Sequence, residues 1–346
     1  MFIKVFLALL NIRGLNHINI APAKNIPIKV KILFTIFLAK LLCLSILLTG
    51  CISSTDYIVY DGQKRFFNIR LPYKIDIPSS YDPSNSYPLV FVFHGGGGNA
   101  NNIEDTTNFT KKADEEKFIV VYPYGTGKLN KRLLTWNCGF CCGYALENNI
   151  DDVGFIRSLY KYIENKYSIN PDMVYATGIS NGGIMTYRVG AELSDIFAAI
   201  APVAAQIGGQ ATEEEKIWHI PIPENPVSVI AFNGMNDTRV PYDGGRPLEE
   251  NAHVYSWMST NESISFWVEK NKCNTTPERS ISESGNIIID TYYSGINGTV
   301  VKLVTIVNGT HSWPGGKKGW SGVSEPTEEI SVTDMIWDFF KENPKQ

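Results

Sequence analysis

The chain has 346 residues, 44% hydrophobic and 12% aromatic, with 31 basic against 35 acidic side chains and a formal net charge of −4. That apolar content supports a packed core and argues against disorder. A mildly acidic balance without long basic runs argues against a nucleic-acid partner, and collagen-like, coiled-coil and repeat patterns are lacking.

The first elements lie in a leader. An apolar patch over residues 1–10 and a polar interval precede a second apolar run, 32–48, approached by Lys24, Lys29 and Lys31. The run closes on Leu48-Thr49-Gly50-Cys51, which resembles the bacterial lipobox. That resemblance implies cleavage before Cys51 and a lipid anchor on its thiol. A stretch of about 18 apolar residues can also span a bilayer. Lys40 within the run and the small residues before Cys51 favour a cleaved leader. The expected organisation is a leader over 1–50, a short tether over 51–56 and one domain over 57–346. Export follows, with the protein membrane-anchored at the cell surface or extracellular.

Residues 57–60 and 65–71 flank Asp61-Gly62, a hairpin signal. The runs 88–94 and 118–122 are short and continuously apolar, as strands buried on both faces of a parallel sheet are. Over 151–167 the helical period puts Val153, Ile156, Leu159, Tyr160 and Ile163 on one side. Asp151 and Asp152 open that helix, and capping is the expected role of at least one. A strand at 173–177, a helix at 181–193, strands at 197–204 and 227–232, and a helix at 263–270 follow. Strands at 287–293 and 300–307 precede a closing helix at 332–341. This alternation predicts an α/β fold in one domain, a doubly wound, mostly parallel sheet flanked by helices. The interval 204–226 is too short for a large lid domain.

Gly178-Ile179-Ser180-Asn181-Gly182 matches G-x-S-x-G between a predicted strand and a predicted helix, the setting of a nucleophile elbow. Upstream, His94-Gly95-Gly96-Gly97-Gly98 follows a buried-type strand. Such glycines let backbone N–H groups approach a substrate carbonyl, and Asn181 is the second expected donor. The run lacks the Gly-Lys-Ser/Thr ending of a phosphate-binding loop.

Of the five histidines, His17 falls in the leader and His94 is expected to fix the glycine loop. His219 reads as a loop or partly buried residue, and His253 lies at a polar helix start. His311, in a turn-rich loop after the last strand, is the expected general base, because the chain order Ser, Asp, His suits it. Asp237 follows the 227–232 strand and is the expected acid. Asp243, past Pro241 and beside two glycines, is its rival. Cys138, Cys141, Cys142 and Cys273 form an even set in an exported chain, and disulfides with three open connectivities are expected. A zinc site is the weaker reading.

Together these segments resemble the poly(3-hydroxybutyrate) depolymerase-type esterases, related to the feruloyl and acetylxylan esterases of carbohydrate esterase family one. The matching residues are His94 to Gly98, Thr135 to Gly143, Asp151 to Phe155, Gly178 to Gly183, Asp237 to Tyr242 and Thr310 to Pro314. One departure is Asn233-Gly234, where relatives often carry His-Gly. The resemblance implies an α/β-hydrolase fold, a Ser180–His311–Asp237 triad, and oxyanion donors at Gly96 and Asn181. It needs neither metal nor organic cofactor. Trp136 and Trp313 are candidates for a substrate wall. The expected substrates are feruloyl or acetyl esters of plant polysaccharide. Polyester hydrolysis is the runner-up. A prolyl-oligopeptidase-type peptidase and a non-catalytic, glycan-binding surface lipoprotein are the remaining rivals.

Overall fold

The computed structural model describes residues 54–72, 81–248, 254–319 and 325–346. The leader, Cys43, Cys51, His17 and His253 lie outside these residues. Among the described residues, no helix is long and apolar enough to cross a membrane.

Strands β1 (Ser54–Tyr60) and β2 (Gln63–Arg70) form the expected hairpin. Tyr60 faces Gln63 across a two-residue turn, with Asp61 and Gly62 at φ of 47° and 69°. Positive φ at both positions makes the turn twist with its strands. β1 begins inside the expected tether, because Ser54, Thr55 and Asp56 find partners along β2.

Next come β3 (Tyr87–Phe93), helices α1 (Ala100–Thr107) and α2 (Phe109–Glu116), β4 (Ile119–Pro123), α3 (Gly143–Glu147), α4 (Asp152–Lys166), β5 (Ile169–Ile179) and α5 (Asn181–Glu192). β6 (Ala199–Val203), β7 (Gly208–Gln210), β8 (Trp218–His219), β9 (Ser228–Gly234), β10 (Ser256–Trp257) and α6 (Thr260–Asn271) follow. β11 (Glu278–Ile281), β12 (Ile287–Tyr292), β13 (Val301–Ile306) and α7 (Val332–Glu342) complete the chain.

The main sheet runs in the order β1-β2-β4-β3-β5-β6-β9-β13-β12-β11. Its six middle strands, β4 to β13, are parallel, and both edges are antiparallel. Alternation along β3 sends Leu89, Phe91 and Phe93 into one core and Val90 and Val92 into the other. The first core lies under α4, α5 and α6, the second under α1, α2 and α7. Ring stacking fastens α7 to the second. Phe118 and Trp337 lie 4.1 Å apart, and Tyr175 and Phe340 4.5 Å apart.

α1 and α2 were not expected, and Asn108, left-handed at φ 57°, separates them. A small second sheet, β10-β7-β8, was also unexpected. It packs Trp218 and Trp257 against Phe140, at 5.9 and 5.3 Å between ring centres.

Candidate active site

Ser180 sits between β5 and α5 with φ 58° and ψ −124°. A non-glycine residue held there is strained, and only a fixed surround maintains it. Its N–H donates to Val203 O at 2.9 Å, and its carbonyl accepts from Ile184 N at 2.9 Å. The flanking glycines are required by close approach. A Cβ on Gly178 would lie 2.6 Å from Gly182 O, and one on Gly182 would lie 2.3 Å from Phe93 O.

The glycine loop after β3 crosses this elbow. A Cβ on Gly95 would stand 3.6 Å from the Ser180 Cβ, and one on Gly96 would stand 3.6 Å from the Asn181 Cβ. Gly97 and Gly98 spend their N–H groups on Leu134 O and Gly95 O. The Gly96 N–H makes no hydrogen bond among the described residues. Asn181 is the first residue of α5, where an N–H has no partner within the helix. These two expected donors therefore lie side by side.

His94 holds the loop. Gly125 N donates to its Nε2 at 3.0 Å, so Nδ1 carries the proton and donates to Gly95 O at 2.8 Å. Burial pushes its pKa down from 6.5 to about 4, so it stays neutral. The unfolded chain takes up this proton below pH 6.5 and the folded chain only near 4. Stability is thus full above 6.5 and falls as pH drops toward 4, by about 3 kcal/mol from this group. Urea unfolding across that range should show the loss, and His94→Gln should flatten it.

Asp237, after β9, and His311, after β13, are both buried. His311 Nδ1 donates to Asp237 Oδ2 at 2.7 Å. Asp237 Oδ1 accepts from Arg239 N and Val240 N, both at 2.9 Å, which fixes the carboxylate. Asp243 is exposed on the following turn. No hydrogen bond joins Ser180 to His311 among the described residues. His311 and Trp313 face Gly95 to Gly98 across a cleft of about 320 Å³ that Ile179, Ile103 and Leu133 also line.

Trp136 corrects an expectation. It is 0% exposed, so its ring presents no surface to a substrate. Its Nε1 donates to His94 O at 3.0 Å, and its ring packs on His94 and Phe93. Trp313 is 1% exposed, with Nε1 donating to Thr333 Oγ1, yet it contributes to the cleft lining.

The side chain of Asn181 has a role that the sequence reading missed. Its Oδ1 accepts from Trp136 N at 2.8 Å and its Nδ2 donates to Trp136 O at 3.0 Å. The adjacent Asn137 is held by Asp152, whose Oδ2 accepts from Asn137 N at 2.8 Å. Asp151 is the helix cap, accepting from Gly154 N at 2.9 Å. Asp152 is instead fully buried against Arg65, and burial raises its carboxyl pKa against the pull of that guanidinium.

Two bridges among the four cysteines are not formed. Cys141 pairs with Cys142, while Cys138 and Cys273 are free and buried. Cys138 Sγ is bound at Asn181, and Cys273 lies at the end of α6 near Thr299 O. His219, in β8, is exposed.

A nucleophile elbow, a glycine loop and an Asp–His pair at the carboxyl ends of parallel strands define an α/β-hydrolase. Residues 62–225 match the Esterase family, described as "Putative esterase". The chain is 29% identical over 252 residues to Feruloyl esterase B of Piromyces equi, covering 72% of this chain and 44% of that protein. It is 26% identical over 266 residues to "Putative esterase NocK" of Nocardia uniformis subsp. tsuyamanensis, covering 73% of each. Among solved structures, the acetyl xylan esterase from Aspergillus awamori shares the fold, with TM-score 0.53 and 13% identity, over 84% of this chain and 99% of that one. The chain has the α/β-hydrolase fold and is similar to esterases over these stretches.

Proposed function

We propose that the protein is an exported serine ester hydrolase working through an acyl-enzyme. His311, oriented by Asp237, takes the Ser180 proton as Ser180 attacks the ester carbonyl. The N–H groups of Gly96 and Asn181 receive the developing oxyanion, and the alcohol departs with the proton from His311. Water then releases the acid by the same route. The observation carrying this reading is the 2.7 Å contact of His311 with Asp237, with His311 lining the same cleft as the glycine loop and Ile179, the residue before Ser180.

Feruloyl or acetyl esters of plant polysaccharide are the proposed substrates, supported by the names of the similar proteins. The apolar walls of the cleft suit a flat acyl group of that size. The leader and Cys51 support export and a lipid anchor. The reading is tested with a short p-nitrophenyl ester, methyl ferulate, acetylated xylan and amorphous polyhydroxybutyrate, alongside labelling by a fluorophosphonate. Hydrolysis of methyl ferulate or acetylated xylan, with the label on the Ser180 peptide, is expected. No hydrolysis of any ester, or a label elsewhere, would overturn it.

A further inference from the structure

The end of the cleft lined by helix α1 has a chemistry of its own. Helix α1 places Asn102, Ile103 and Thr106 along one wall, with 102 and 106 one turn apart on the same face. Lys317 and Lys318 come to that end on the segment following Trp313. The segment is pinned there, Lys317 N donating to Thr106 O at 3.0 Å. Lys318 is neutralised by Glu325, 2.7 Å from its Nζ. Lys317 is exposed and has no acidic partner among the described residues. The Thr106 hydroxyl and the Asn102 amide likewise make no side-chain hydrogen bond there. Neither aspartate nor glutamate is among the residues lining this cleft.

We propose that this end is a subsite for a carboxylate carried by the ester substrate, with Lys317 as the residue that selects it. The inference rests on the ester-hydrolase reading above and adds a substrate class to it. One free ammonium beside two neutral donors, with no competing anion, attracts a substrate carboxylate without expelling an internal partner. Walls of low polarity strengthen that field relative to open solvent. The carboxylate can belong to the acyl group or to the leaving alcohol, since either can extend along the cleft.

Two substrate pairs separate these sources. Mono-p-nitrophenyl adipate against p-nitrophenyl hexanoate places the charge on the acyl side. 4-Acetoxybenzoate against 4-acetoxybenzamide places it on the leaving group. In at least one pair, Lys317→Glu should lower the anionic-to-neutral ratio of kcat/KM about tenfold, as expected for reversing one exposed charge beside low-polarity walls. Lys317→Arg should preserve the ratio, and added salt should lower it in the wild type. Equal ratios in wild type and Lys317→Glu for both pairs, with Ser180-dependent hydrolysis intact, would overturn the subsite alone. Failure to hydrolyse any of the four esters would overturn the hydrolase reading and the subsite with it.

Discussion

Ser180→Ala is expected to lower kcat on every ester the protein hydrolyses by about 10⁶-fold, leaving only what the oxyanion donors and binding provide. Asp237→Asn should cost about 10⁴-fold, because an amide no longer holds His311 in the tautomer that accepts the serine proton. Both replacements are nearly isosteric, and the two backbone N–H groups on Asp237 Oδ1 can still be met by an asparagine oxygen. Thermal unfolding should therefore stay close to wild type while steady-state rates collapse. A loss under tenfold for Ser180→Ala would remove Ser180 from the chemistry.

The second large effect concerns stability. Arg65 and Asp152 are 4% and 0% exposed, and Asp152 also receives Asn137 N. Asp152→Ala should destabilise the fold by about 3–5 kcal/mol, because it strands a buried guanidinium. The double variant Arg65→Met/Asp152→Leu should recover most of that loss, since an apolar pair removes both desolvation costs. It should not recover activity to the same degree. Asn137 would still lack its anchor, and Trp136 beside it grips Asn181. Urea denaturation read alongside kcat/KM separates the two consequences. Full recovery of both would show that Asp152 matters only as half of an ion pair.

The parallel centre of the sheet was legible because its strands are apolar without interruption, as burial on both faces demands. The elbow and the hydrogen-bonded Asp237 and His311 were legible as residue types following such strands. Helices α1 and α2 were not, because residues 100–116 carry few apolar side chains and only Ile103, Phe109 and a few small residues enter the core. The strands of the second sheet are two or three residues long, too short for any period. Trp136 misled because its burial depends on Phe93 and His94, which lie more than forty positions away. The second expected disulfide is absent for a related reason. Their parity says nothing of distance, and Cys138 is engaged by Asn181 while Cys273 follows the C-cap of helix α6.

The parallel pairing of β9 with β13, in which Asn233 faces Thr305 and Gly234 faces Ile306, joins segments some seventy residues apart. Asp237 and His311 lie a few residues beyond the ends of these two strands. A slip of one residue would displace one end by about 3.3 Å, more than a hydrogen bond can stretch. A misregistered sheet could keep its secondary structure and much of its compactness yet lose the His311–Asp237 contact on which the proposed proton transfer depends. Turnover is thus a more demanding criterion of correct assembly than circular dichroism. During refolding it reports the moment when β9 and β13 settle into their native alignment.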